Sequence, residues 1–185
     1  FDLIEELQPG AVVFSPYATG VRWIGNESGK AGDPAWSKID KKRIRDRYDQ
    51  GLGDDNRYLN NGDPQGDIWS VGECDVSLTS GWFWHQGNGP KTMEQLTEIY
   101  FKSVGRGQPL LLNVAPDRNG HFTTEDIARI KEFSTAINNT FDENLATPNT
   151  TTAEASSVRG NSMNFSASKV LDDDHDSYWT MDDGQ

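Results

Sequence analysis

Two short stretches of the chain are apolar almost throughout: Ala11-Val12-Val13-Phe14 and Leu110-Leu111-Leu112-Asn113-Val114. A strand apolar on both sides is buried on both sides, which predicts a parallel sheet covered by helices. A third strand is expected at 75–78, Asp75-Val76-Ser77-Leu78. Helical spacing appears elsewhere. The first seven residues read as the end of a helix, broken by Gln8-Pro9-Gly10. Leu96, Ile99, Tyr100 and Val104 recur at helical spacing behind Thr92, with Gln95 three residues on as in a capping box, and Gly105 is expected to end that helix. A last helix starts at Thr123 or Thr124 and buries Ile127, Ile130, Phe133, Ile137 and Phe141.

Between these elements the pattern fades. Residues 15–37 form a polar, aromatic loop, and 38–67 a charged excursion with one short helix near 41–48. Residues 51–66 show no hydrophobic period. Strand, loop, helix, repeated, is the rhythm of a β/α barrel or a doubly wound sheet. Polar and aromatic residues cluster just after the strands, which in a (β/α)8 barrel is the catalytic face. A full barrel needs about 250 residues, so roughly half of one precedes residue 145. Composition shifts near Asn144 to a Thr-, Ala- and Ser-rich stretch, and a domain boundary is expected at about residue 145. The expected fold class is therefore α/β, the C-terminal half of a (β/α)8-like barrel over 1–145. The start of a β-sandwich follows over 146–185, too short to fold as a sandwich alone.

Charge removes one class of function. The 185 residues carry a formal net charge of −12, which opposes binding to a phosphate backbone. No apolar run approaches the roughly 20 residues needed to span a bilayer. Cys74 is the only cysteine, which rules out an intrachain disulfide framework and a cysteine metal site. The chain opens on Phe1 inside a helical pattern and stops just after Trp179, so both ends read as truncations, with no signal peptide in this stretch.

Glu27 stands out in the long loop, between Trp23 and Trp36 and beside Arg22 and Asn26. A carboxyl walled by rings is desolvated, which favours its neutral form and lets it give a proton to a leaving oxygen. That is the acid half of glycoside hydrolysis. The plainer alternative is a surface glutamate paired with Arg22. Glu73 and Asp75 flank Cys74, two apart on a strand and hence on one face. They can bind sugar hydroxyls, or one can be the acid, or they form a polar strand edge. Trp82, Trp84 and His85 follow that strand, where a ring can stack on a sugar and an imidazole can bond a hydroxyl; core packing is the alternative. Asn113 can orient a ligand or a neighbouring side chain. Cys74 lacks any thiol-catalysis signature around it. The acidic run 172–176 offers oxygen ligands to a hard cation but lacks EF-hand spacing, and such runs are commonly solvated turns.

Taken together, four segments resemble the α-L-fucosidases of glycoside hydrolase family 29, in the branch that acts on α-1,3/1,4-linked fucose. Val21-Arg22-Trp23-Ile24-Gly25-Asn26-Glu27-Ser28-Gly29 resembles the RWxGNExG loop. Glu73-Cys74-Asp75-Val76-Ser77 with Gly81-Trp82-Phe83-Trp84-His85 resembles ECDVSIRPGWFYH, with Thr79-Ser80 in place of the RP. Ser103-Val104-Gly105-Arg106 and the stretch 110–120 resemble SVGRN and LLLNxPPDxxG. The resemblance implies a retaining double displacement through a covalent fucosyl-enzyme. Glu27 would be the acid/base, with Glu73 the second choice. The nucleophilic Asp would lie upstream in a W(F/L)DG-like motif that this sequence lacks, leaving the fragment alone inactive. Trp23, Glu73, Asp75, Trp82, Trp84 and His85 would contact substrate. The tail, at 155–160 and 170–179, resembles the start of a coagulation factor 5/8 type C domain, like family 32 carbohydrate-binding modules. Asp172, Asp174 and Ser177 would there hold a structural Ca²⁺; no cofactor is implied for catalysis. The implied partners are fucosylated oligosaccharides or glycoconjugates, and the implied location is extracytoplasmic. A non-catalytic carbohydrate-binding protein and another retaining exo-glycosidase are the competing readings.

Overall fold

The computed structural model describes residues 2–17 and 20–183, which fall into two compact units, Phe1–Ser134 and Thr135–Gln185. Phe1 of the expected first helix and Gly184-Gln185 at the tail lie outside the described residues. The division between units falls inside the last long helix, upstream of the composition change near residue 145.

The first unit is built on a three-stranded parallel sheet. β1 (Val21–Trp23) pairs with β4 (Val71–Ser77), and β4 with β5 (Leu110–Asn113). In register, Trp23 faces Glu73, Asp75 faces Leu111, and Ser77 faces Asn113. The strand expected at 11–14 is present only as an extended edge. Phe14 bridges Val21 in parallel, Val21 N–H donates to Val13 O at 3.3 Å, and Ser15 N–H to Val21 O at 3.2 Å. Its double-sided burial is not observed: Val12 is 74% and Phe14 45% exposed. Four extended segments therefore run parallel in this sheet, and their order across it follows their order along the chain.

β1 lies inside the stretch expected to be loop. It is three residues long, and its buried centre is an arginine, so no apolar alternation marks it. β4 begins four residues earlier than expected because its leading half carries Glu73 and Asp75. The register separates two faces. Cys74, Val76 and, just past β1, Ile24 are buried, and Ile24, Cys74 and Ala31 form one core cluster with Ala35 and Leu110 against it.

The excursion after β1 is a small closed assembly. β2 (Lys38–Ile39) and β3 (Ile68–Trp69) pair antiparallel and close its two ends. α2 (Lys41–Asp49) starts where Asp40 accepts from Arg43 N–H at 2.9 Å. α3 (Asn56–Asn61) was not expected: six residues are too few to show a period, although Asp55 caps it. Ile39, Ile44 and Tyr58 form its core, joined by Tyr17 and Ile68.

α4 (Met93–Ser103) has the expected capping box. Gln95 N–H donates to Thr92 Oγ1 at 3.2 Å and Thr92 N–H to Gln95 Oε1 at 2.9 Å. Its chain end is Gly107 at φ 75° after a 3₁₀ turn, two residues past the expected Gly105. α5 (Thr124–Phe141) has Asp126 as its buried residue, with Ile130, Phe133 and Ile137 half-buried at helical spacing. Ile127 and Phe141, expected on that face, are 40% and 59% exposed. The face keeps its centre at Ile130, Phe133 and Ile137, and at its start Asp126 closes the N-terminal turn with Thr123. α1 (Asp2–Leu7) precedes the sheet. Among the described residues no helix is long and apolar enough to cross a membrane.

In the second unit, the chain after α5 forms 3₁₀ turns at Arg159–Asn161, Met163–Phe165 and Ala167–Val170. No strand occurs among its described residues, so the expected sandwich start has no counterpart there. Arg159 N–H donates to Thr180 O at 2.9 Å, and the Trp179 indole to Ser157 O at 3.1 Å, which lays these two segments side by side.

Candidate active site

The polar residues singled out in the sequence gather where β1, β4 and β5 end. The Glu27 loop leaves β1 and is held by its own main chain. Asn26 accepts from Ser28 N–H at 3.0 Å and donates to Lys30 O at 3.2 Å. Gly29 N–H donates to Asp75 O at 3.1 Å, and Ala31 N–H to Lys102 O at 2.8 Å. Gly29 sits at φ +71°, and a Cβ there would lie 2.8 Å from Val76 Cγ1 and 2.9 Å from Ile99 Cγ2. Only glycine lets this loop lie down between strand and helix.

Glu27 itself is exposed, and its Oε2 accepts from the Trp82 indole N–H at 2.7 Å. Two expectations change here. The walls foreseen at Trp23 and Trp36 are not what Glu27 meets: the Trp23 indole donates to Asp75 Oδ1 at 2.9 Å, and Trp36 is turned to Arg22 through its carbonyl. Nor does Arg22 pair with Glu27. Residues 22 and 23 point to opposite faces of the sheet, and Arg22 is fully buried on the covered one. There it donates to Leu59 O at 2.8 Å, to Trp36 O at 2.7 Å and to Ser70 O. Burial without a carboxylate partner pulls its pKa down to about 10.

Trp82 is tied to β5. Asn113 Nδ2 donates to Trp82 O at 3.0 Å and to Ser77 Oγ at 3.0 Å. Asn113 thus orients a neighbouring segment, one of the two uses foreseen for an amide at a strand end. Glu73 and Asp75 share a face as expected. Burial, followed by the Asp75 charge, holds the Glu73 carboxyl above its ordinary range. Burial likewise raises Asp75, the Trp23 hydrogen bond pulls it down, and the Glu27 charge raises it further. Lys91 lies under the same strand end, donating to Ser77 O, and burial lowers its pKa. Cys74 lies on the other face, fully buried, with its thiol pushed up to about 12. A thiol in that state is inert, as its surroundings in the sequence indicated.

Trp84 and His85 stand apart from Glu27. They line an open cleft of about 300 Å³ with Asp117 and Arg118 from the loop after β5. The Arg118 guanidinium lies 5.9 Å from the centre of the Trp84 ring. Nothing in the sequence pattern pointed to Arg118, because the contact joins two loops that the spacing does not connect.

Asp172, Asp174 and Ser177 are brought together, but by bonds among themselves. Ser177 Oγ lies 2.7 and 2.8 Å from the two Asp172 oxygens, Asp174 N–H donates to Asp172 at 3.2 Å, and Lys169 Nζ is 3.2 Å away. A cation would have to displace the Lys169 ammonium. Among the described residues no group of three or more His, Cys, Asp or Glu is arranged to hold a metal.

No family model matches the chain. Over its whole length it is 41% identical to Alpha-L-fucosidase 1 of Arabidopsis thaliana. It superposes on the crystal structure of SpGH29 with TM-score 0.86 at 42% identity, over 98% of this chain and 38% of that one. A Ruminococcus gnavus GH29 fucosidase in complex with fucose matches all of this chain and 38% of its own, with TM-score 0.82 at 35% identity. The chain spans only 35% of the length of the Arabidopsis relative. In sequence and fold the chain is thus similar over its whole length to proteins described as α-L-fucosidases and as GH29 fucosidases.

Proposed function

We propose that the protein of which this chain is a part is a retaining α-L-fucosidase, acting on terminal α-1,3/1,4-linked fucose, with Glu27 as its acid/base. The observation that carries the reading is the meeting of Glu27 with Trp82, two loops away, at the same end of the parallel sheet. Parallel segments bonded in strict chain order are what a β/α barrel requires, and the ends where their loops converge form that fold's catalytic face. Solved relatives superpose on the chain throughout, one of them holding fucose.

In this mechanism a carboxylate from outside the chain bonds the anomeric carbon as the glycosidic C–O bond breaks. Glu27 gives its proton to the departing oxygen. Water then attacks the anomeric carbon, Glu27 takes back a proton from it, and the nucleophile's carboxylate leaves. Glu73 and Asp75, held above their ordinary range, are suited to share protons with sugar hydroxyls beyond the fucose. Trp82 is proposed to wall the fucose, and Trp84 and His85 to meet what the fucose is attached to.

In the full-length protein, Glu27→Gln is expected to slow fucose release from oligosaccharides by about 10²–10⁴-fold. Aryl fucosides with good leaving groups, which need little protonation, should lose much less. Wild-type rates on oligosaccharides for this variant would end the assignment. Fucose binding without turnover by the unaltered protein would instead point to a carbohydrate-binding protein on the same fold.

A further inference from the structure

Among the described residues the Glu27 carboxylate is gripped at one oxygen, Oε2, and meets no hydrogen-bond donor at the other. Among the described residues its hydrogen-bond donor is the Trp82 indole, 2.7 Å from Oε2. Trp82 does not float: Asn113 holds its carbonyl at 3.0 Å and, with the same amide nitrogen, the Ser77 hydroxyl at 3.0 Å. Ser77 and Asn113 are register partners at the ends of β4 and β5. One chain of hydrogen bonds thus runs from β5, through the loop after β4, to the loop after β1.

An indole nitrogen donates and cannot accept. A proton on Oε2 would confront the Trp82 N–H, whereas a proton on Oε1 meets no such conflict. The grip therefore distinguishes two oxygens that are otherwise chemically equal. It also narrows the set of rotamers open to the Glu27 side chain. Resting on the acid/base reading of Glu27, we propose that Trp82 is a positioning residue whose indole N–H fixes Oε1 as the oxygen that delivers the proton. This role is separate from the ring's contact with a sugar, and it depends on the donor rather than on the aromatic surface.

The two roles separate experimentally in the full-length protein. Trp82→Phe removes the donor and part of the ring. Replacing Trp82 by β-(3-benzothienyl)alanine, which has sulfur where the indole has N–H, removes the donor and keeps the shape. Both variants are expected to lower kcat/KM on a fucosylated oligosaccharide about 10-fold, a misplacement effect well within the range seen for mis-set catalytic groups. On 2-chloro-4-nitrophenyl fucoside, whose leaving group needs little protonation, the benzothienyl variant's loss in kcat/KM should be several-fold smaller than on the oligosaccharide. Equal losses on the two substrates, or wild-type kcat with a raised KM, would reduce Trp82 to a pocket wall and overturn the proposal. Glu27→Gln measured in parallel keeps the two ideas apart. If that variant retains oligosaccharide turnover, the acid/base reading fails and the positioning role falls with it; if it loses turnover while the benzothienyl variant does not, only the positioning role fails.

Discussion

One face of the β1–β4–β5 sheet carries Arg22, Cys74, Val76 and Leu110; the other carries Trp23, Glu73, Asp75, Ser77 and Asn113. On the first, every side chain is apolar or, like Arg22, saturated by main-chain carbonyls. On the second, partly buried carboxylates feel a neighbour's charge: that of Asp75 raises Glu73, and that of Glu27 raises Asp75. The same few residues of strand supply both, because alternate side chains point opposite ways. The first face sets where the strand ends lie. The second keeps charged groups in a half-buried, mutually repelling state that a purely structural sheet would avoid.

The sharpest way to break this contrast is at Arg22. Arg22→Ala strands the carbonyls of Trp36, Leu59 and Ser70 in a buried site, at about 1–3 kcal/mol for each group left unpaired. A total loss of about 3 kcal/mol or more is expected, read by chemical denaturation of the full-length protein. A loss under 1 kcal/mol would mean that water replaces the guanidinium without difficulty.

Gly29→Ala tests whether the covered face also fixes the Glu27 loop. A Cβ at positive φ, pressed against Val76 and Ile99, is expected to cost about 2–4 kcal/mol. It should lower activity at the same time, because the loop must lift. Loss of stability with unchanged turnover would uncouple loop from site.

The smallest effect belongs to the polar face and appears only as a pH trend. Glu73 and Asp75 are raised by burial and by neighbouring charge, so the folded chain holds their protons more tightly than the unfolded chain does. Their contribution to stability is complete below the ordinary carboxylate range and is lost as pH rises through the raised values. Asp75→Asn keeps an acceptor for Trp23 and cannot ionise. Its stability relative to wild type should therefore increase from mildly acidic to neutral pH. A constant difference across that range would show that Asp75 ionises without penalty.

These faces also explain what the sequence made legible. The strand at β5 and the capping box of α4 were readable because each has a local signature, a short apolar run and a reciprocal pair three residues apart; the burial on both sides expected of β5 is not observed, since Leu111 is 42% exposed. β1 was not, since its centre is a buried cation that breaks the hydrophobic alternation. α3 escaped because six residues show no period. Among candidate site residues, Glu27, Trp82, Glu73 and Asp75 do converge on one end of the sheet. Their partners did not follow from spacing: Trp23 turns to Asp75 and Trp82 to Glu27, contacts that span 52 and 55 residues. Asp172, Asp174 and Ser177 do come together, in a turn whose side chains hydrogen-bond to one another.

Arg22 carries one more consequence. All three of its acceptors are peptide oxygens, and none depends on which side chain the excursion displays at Trp36, Leu59 or Ser70. The anchor recognises the path of the segment and is blind to its lettering. Residues along the outer surface of 38–69 can be rewritten, by engineering or by drift, while the strand beneath stays pinned in place.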